Sequence, residues 1–371
     1  MRDMHGIILA YSSHTRLKEL AEHRTASSIP FGGRYRVIDF MLSNMVNAGI
    51  TDVGVIMHEN YQSLLDHLGS GKDWDMARKR GGLRLLPPFG LSNPRKGGNF
   101  SGSLEALRSL SSYIERIRQE YVVIADGDLT INLPLDAVYR DHIDSGADIT
   151  CVCTNRRFDD SVETAYANTG AHGRFDNVHY GSREEGACQI MGVYLMSKKL
   201  LEIIIHYCEA NNLDSFRRDV LQGMCKTLNI RAYIYDGYCR RLDSLTGYFA
   251  NSMELLNRDV RAELFDPLRP VKSKLRDDAS TYYGPYSKVK NSLIADGGYI
   301  EGEVENCVIF RGVRVLAGAK VQNCVLMQDT VVSLGAKLNY AITDKAVTIS
   351  EGTTLMGHES YPIAVSKGKT V

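Results

Sequence analysis

Four short blocks led by asparagine constrain this chain more than any other feature. Asn291-Ser292-Leu293-Ile294, Asn306-Cys307-Val308-Ile309, Asn323-Cys324-Val325-Leu326 and Asn339-Tyr340-Ala341-Ile342 recur at spacings of 15, 17 and 16 residues. Between or after them lie segments such as Gly312-Val313-Arg314-Val315 and Ala346-Val347-Thr348-Ile349. Short β segments returning at about one coil's length predict a left-handed parallel β-helix of imperfect hexapeptides. A meandering antiparallel domain is the alternative. The ends of a short β-helix need cover, so assembly with a partner is expected.

The first two thirds read differently. Buried-strand runs at Gly6–Ala10, 52–57, 121–125 and 148–153 alternate with helical spacing over Val37–Ala48 and Ser103–Arg118. This alternation predicts an open, Rossmann-like α/β sheet with ligands outside the carboxyl ends of its strands. Pro267, Pro270 and Pro285 punctuate a polar stretch, giving an expected division into 1–261, a linker at 262–290 and a β-helix at 291–371. The 44 basic and 44 acidic residues cancel, so no global field favours nucleic acid or an anionic membrane. No apolar run approaches the ~20 residues that span a bilayer. With scattered cysteines and no evident signal peptide, a reducing cytoplasm is expected.

The segment Ile29-Pro30-Phe31-Gly32-Gly33-Arg34-Tyr35-Arg36-Val37-Ile38-Asp39-Phe40, followed by Leu42-Ser43-Asn44 and Asn47-Ala48-Gly49-Ile50, carries a resemblance. It is similar to the PFGG block of glucose-1-phosphate adenylyltransferases. That family joins a nucleotidyltransferase (GT-A-like) domain to a C-terminal β-helix, so the likeness covers nearly the whole chain. Within the family the chain looks most like the non-catalytic glycogen-biosynthesis subunits, thought to act beside a catalytic homologue. The implied reaction is attack of glucose-1-phosphate on the α-phosphorus of ATP, releasing pyrophosphate. It needs positioned phosphates and acidic ligands for magnesium.

Several implied groups are missing. The family's G-G-x-G-T-R-L loop reads Tyr11-Ser12-Ser13-His14-Thr15-Arg16-Leu17: Thr15 and Arg16 remain, but the glycines that let phosphate approach backbone N–H groups are gone. Arg24 is kept while the phosphate-contacting lysine is Ala26. Arg24 reads as a phosphate contact or a structural residue, with Gly32, Gly33 and Arg34 beside it as remnants of the nucleotide site. One metal-binding aspartate falls on Asp128, with Asp126 adjacent, but the second falls on Arg241, whose fixed positive charge opposes a divalent ion. Asp243 is a possible substitute. The lysine that contacts the sugar phosphate has no counterpart. Gly192, Tyr194, Phe216 and Asp219 are retained from the sugar-phosphate region. His23 and the basic run Arg78-Lys79-Arg80, with Arg84 in the Gly/Pro-rich stretch 69–98, are candidates for contact with a sugar-phosphate effector; a solvated loop is the simpler reading.

Three functions compete. The resemblance and its losses favour a catalytically impaired regulatory subunit in a hetero-tetramer with a catalytic homologue. An active adenylyltransferase with compensating residues is the alternative, and only there is magnesium expected as a cofactor. Acyl transfer by the hexapeptide domain is weakest, because Asn291–Gly357 contains no histidine and His358 follows the repeats.

Overall fold

The computed structural model describes residues 3–11, 15–79, 81–87, 103–156 and 164–371. Nine strands form the main sheet: β1 (Met4–Leu9), β2 (Asp52–Ile56), β3 (Gly82–Leu86), β4 (Tyr121–Asp126), β5 (Ile149–Thr154), β6 (Ala165–Thr169), β7 (Phe175–Tyr180), β8 (Cys188–Ser197) and β9 (Ile230–Ile234). β4, β1, β2 and β3 lie side by side and parallel. β8 runs antiparallel between β4 and β5, and β9 pairs parallel with β5. The β6–β7 hairpin hangs on the start of β8.

Period-two alternation sets the two faces. Ile7 and Leu9 of β1 join one apolar cluster, Met4 and Ile8 the other. Because both faces are covered, β1 and β5 are buried along their whole length, which is why they read as continuous apolar runs. Two local expectations change. Helix over Ser103–Arg118 is split into Ser103–Arg108 and Ser111–Glu115, with Leu110 between them packed into the core. Residues Gly82–Leu86, read as part of a solvated basic loop, are the edge strand β3, because Leu83 and Leu85 back onto the second cluster. Arg84 is exposed and lies over the Tyr113 ring at 5.8 Å.

Beyond the helix Arg258–Leu264 the chain forms a left-handed parallel β-helix, whose strands lie in three five-stranded parallel sheets. Its first strand, Tyr282–Tyr283, pairs with Tyr299–Ile300, so coiling begins inside the stretch expected to be linker. The prolines that suggested a linker sit before or between these short strands, where no ladder bond is lost.

Asn291, Asn306 and Asn323 adopt left-handed φ of 42, 52 and 49°, a conformation that asparagine tolerates better than most residues. Their amides stack: Asn291 Nδ2 donates to Asn306 Oδ1 (2.8 Å), Asn306 to Asn323 (3.3 Å) and Asn323 to Asn339 (2.9 Å). The fourth coil corrects the sequence spacing. Asn339 is in register with Gln322, so Tyr340, at φ 50°, holds the asparagine position. Its ring lies 6.1 Å from Phe249 of the first domain.

The two domains share one apolar cluster. Leu17, Ile29, Phe31, Phe40 and Tyr248 from the first pack with Val308, Phe310, Val325, Met327 and Ile342 from the coils.

Candidate active site

The carboxyl ends of β1 and β4 meet where Leu9 lies opposite Asp126. Beyond β4, Leu129–Ile131 pairs antiparallel with Cys239–Arg241, placing Arg241 opposite Leu129 and next to Asp128. These elements open onto a cleft lined by Tyr11, Asp126, Asp128, Tyr194, Arg217 and Arg241, with Ser103, Ser215 and Phe216 at its side.

A chain of alternating charges fills the carboxyl end of this cleft. Arg241 Nη1 donates to Asp128 Oδ1 at 2.7 Å, and its Nη2 donates to Asp126 Oδ2 at 2.8 Å and to the Met191 carbonyl at 3.0 Å. Arg217 Nη2 reaches the same Asp126 oxygen at 2.6 Å, and its Nε donates to the Tyr194 hydroxyl at 3.2 Å. Asp128 is fully buried and Arg241 nearly so. Burial opposes the charge on Arg217, but Tyr194 and Asp126 outweigh it and hold the guanidinium above its ordinary range. Burial also pushes the Tyr11 and Tyr194 hydroxyls well up, so both act as neutral donors or acceptors.

Gly192 makes the network possible. Its φ is +84°, and a Cβ there would collide with the Asp126 carboxylate and crowd Arg241 Nη2.

A divalent ion does not fit these residues. Magnesium requires an octahedral set of oxygens at about 2.0–2.1 Å, whereas Asp126 and Asp128 both accept from Arg241. Asp243, the possible substitute, is tied to Arg16. Among the described residues no three His, Cys, Asp or Glu side chains converge as a metal site.

The model of the nucleotidyl transferase family matches residues 5–238, and that of the GlmU-like C-terminal hexapeptide matches 277–360. The glycogen biosynthesis protein GlgD of Bacillus subtilis is 37% identical over 98% of this chain and 96% of its own length. GlgD of Geobacillus stearothermophilus is 37% identical over 85% and 82%. The glucose-1-phosphate adenylyltransferase of Fusobacterium nucleatum is 32% identical over 85% and 83%. The chain belongs to the glucose-1-phosphate adenylyltransferase family.

Within this adenylyltransferase fold the expected site residues separate into two places. Asp128, Tyr194, Phe216 and Arg241 line the cleft, and Gly192 lies against it. Asp219 stands behind: its carboxylate accepts from the backbone N–H groups of Asp214 and Ser215 (3.0 and 2.8 Å), shaping the turn that presents Arg217. Sequence reasoning passed over Arg217 and gave Asp126 only a secondary place.

Arg24, Gly32, Gly33 and Arg34 lie at the domain junction, while Arg16 pairs with Asp243. Arg24 is 5% exposed, and its Nη2 donates to Asp344 of the β-helix at 2.6 Å. Gly32 packs near Leu255 and Phe265, Gly33 faces Ala295, and Arg34 lies 3.7 Å from Asp296. Arg24, Gly33 and Arg34 meet β-helix residues, whereas Gly32 faces side chains that precede the coils. Beside Arg24, burial and then the charges of Arg36 and Arg24 push the Lys345 ammonium down to about 7. His23 is exposed, 3.9 Å from Glu22. Arg78 pairs with Asp75 and Lys79 is solvated. Arg80 and the Thr15 side chain lie outside the described residues. His358, in an exposed turn, bonds Ser360 through Nδ1.

Among the described residues no helix is long and apolar enough to cross a membrane, and all eight cysteines are free and buried.

Proposed function

We propose that this chain is a catalytically impaired regulatory subunit in glycogen biosynthesis, acting on a catalytic glucose-1-phosphate adenylyltransferase with which it forms a hetero-oligomer, most simply a tetramer. One observation carries this reading: Arg241 takes the place of the second metal-binding aspartate, and its guanidinium lies between Asp128 and the adjacent Asp126. The changed Tyr11–Leu17 loop and Ala26 add to the loss. Removing one such group costs about 10²–10³ in rate, and several are gone together. The names of the relatives, a glycogen biosynthesis protein and a glucose-1-phosphate adenylyltransferase, point to the pathway and the partner's activity.

The β-helix supports assembly. Its far end is covered by the C-terminal segment, with Ser350 N–H donating to the Val371 carbonyl at 2.7 Å. Among the described residues its first strand pairs on one side alone, with Tyr282 and Tyr283 about half exposed and the nearby Tyr286 88% exposed. Regulation acts through contacts that differ between the partner's active and inactive states. The basic cluster of Arg24, Arg36 and Lys345 at the domain junction favours a sugar-phosphate effector there, with His23 nearby in sequence.

The test is pyrophosphate release from ATP and glucose-1-phosphate with magnesium, by this chain, by its catalytic homologue, and by the co-purified pair. No turnover alone, with a pair that differs from the homologue in rate or affinity, is the expected result. Robust turnover by this chain alone, abolished by Asp128→Asn, would overturn the proposal.

A further inference from the structure

The turn after the coil strand Ala341–Thr343 carries Lys345 into a group of like charges. Arg24 and Arg36 act on it from the first domain, and Lys367 from the last stretch of chain, where Gly368 N–H donates to the Lys345 carbonyl at 2.9 Å. The carboxylate that acts on Lys345 is Asp344, and both of its oxygens are in use. Oδ2 accepts from Arg24 Nη2 at 2.6 Å, and Oδ1 accepts from the Lys345 backbone N–H at 2.7 Å. Asp39 and Asp66 offset part of the charge on Arg36. The Lys345 side chain makes no hydrogen bond or close ion pair among the described residues.

Lys345 is half-buried, and its burial and the adjoining guanidiniums disfavour the ammonium form. A neutral lysine amine is a nucleophile, and neighbouring cations are one of the ways such an amine is activated. In the same cluster Arg24 Nη1 is buried and has no hydrogen-bond partner among the described residues. A buried guanidinium donor without an acceptor costs free energy until one reaches it. The corner therefore combines a nucleophilic nitrogen with cationic donors suited to a carboxylate-like anion.

We propose that Lys345 is a carbamylation site, where the side-chain amine takes up CO2 and the guanidiniums of Arg24 and Arg36 hold the carbamate. The Nζ lone pair attacks the carbon of CO2 and forms an N–C bond, while a C–O π pair moves onto oxygen. The proton displaced from nitrogen goes to solvent. The product carries one negative charge in place of a neutral amine, amid Arg24, Arg36 and Lys367, and its oxygens give Arg24 Nη1 an acceptor. The inference concerns the basic cluster proposed above to receive an effector, and so deepens the regulatory reading. The adduct is read on this chain alone, so either can fail without the other.

The experiment incubates the full chain with isotopically labelled CO2 in a closed vessel, traps carbamate with triethyloxonium, and maps the ethylated peptides by mass spectrometry. An adduct on Lys345 whose mass follows the isotope is the expected result. Near neutral pH the Lys345 amine is neutral several hundred times, roughly, more often than an ordinary lysine. Trapping there should therefore exceed that at the exposed Lys199 and Lys226 by about a hundredfold. At fixed subsaturating CO2 the yield should fall about tenfold or more from about pH 8 to about pH 6, as the amine takes up a proton. Arg36→Gln, which removes one cation, should lower the yield about tenfold. No adduct on Lys345, comparable adduct on the exposed lysines, a yield indifferent to pH, or an unchanged yield in folded Arg36→Gln would each overturn the proposal. All but the last are read on the unmodified chain, so they hold even if the variant misfolds.

Discussion

At the residue scale, the cleft turns on exchanges whose effects depend on one another. Asp128 is fully buried and is neutralised by Arg241. Removing one partner of such a pair strands the other without water or counter-charge. Arg241→Ala is therefore expected to destabilise the fold by about 3 kcal/mol, read as a lower urea midpoint with an unchanged slope. Gly192→Ala should cost about 1–3 kcal/mol or more, because the left-handed φ strains alanine and its Cβ meets the Asp126 carboxylate. In an Asp126→Gly background, which itself strands two guanidiniums, Gly192→Ala should cost less than in the unmodified chain, since the colliding group is gone. His5 is a separate case. Burial lowers its pKa to about 4 against an unfolded value near 6.5. The unfolded chain thus takes up a proton that the folded chain refuses, and stability should fall as pH drops from about 6.5 towards 4.

At the scale of elements, the asparagine row and the Leu129–Ile131/Cys239–Arg241 ladder do the positioning. Asn291, Asn306 and Asn323 each relieve a left-handed corner and pass an amide bond to the next coil. Asn323 sits mid-row, accepting from Asn306 and donating to Asn339. Asn323→Ala should cost about 1–2 kcal/mol by denaturant unfolding, while Asn291→Ala, at the row's end, should cost less. The short ladder brings residues 113 positions apart into contact, and no local pattern announces it. The edge strand β3 was similarly hidden, since its alternation of leucine with glycine and arginine over five residues lies in a basic, glycine-rich stretch.

For the whole molecule, the decisive surface is the junction between sheet and coils. Lys345 has a folded pKa of about 7 there against roughly 10.4 unfolded. Between those values the folded chain has shed a proton that the unfolded chain keeps, so stability should rise with pH from about 7 to 10.4. Lys345→Met should flatten that slope and raise the urea midpoint at neutral pH. An anionic effector at the junction would raise the Lys345 pKa and oppose the effect. The exposed first coil leads to another expectation: Tyr282→Asp with Tyr283→Asp should weaken association with the catalytic homologue in sedimentation velocity, with the monomer's unfolding midpoint little changed.

Periodicity was enough to predict the architecture, because a strand buried on both faces reads as a largely apolar run and coils of about 15–17 residues bring a corner back to a similar place. The likeness of the PFGG block gave the family, and the exchange at Arg241 already spoke against a metal. Sequence alone did not indicate where the exchanged charges went. Arg24, Gly32, Gly33 and Arg34 were grouped with the phosphate site by their place in the chain, yet Arg24, Gly33 and Arg34 meet the β-helix. Arg217, Asp126 and Arg241 come from three distant segments, and their union depends on the backbone room at Gly192. Ion pairs over such separations follow from tertiary packing, since a charge leaves water only where the fold brings its counter-charge within hydrogen-bond reach.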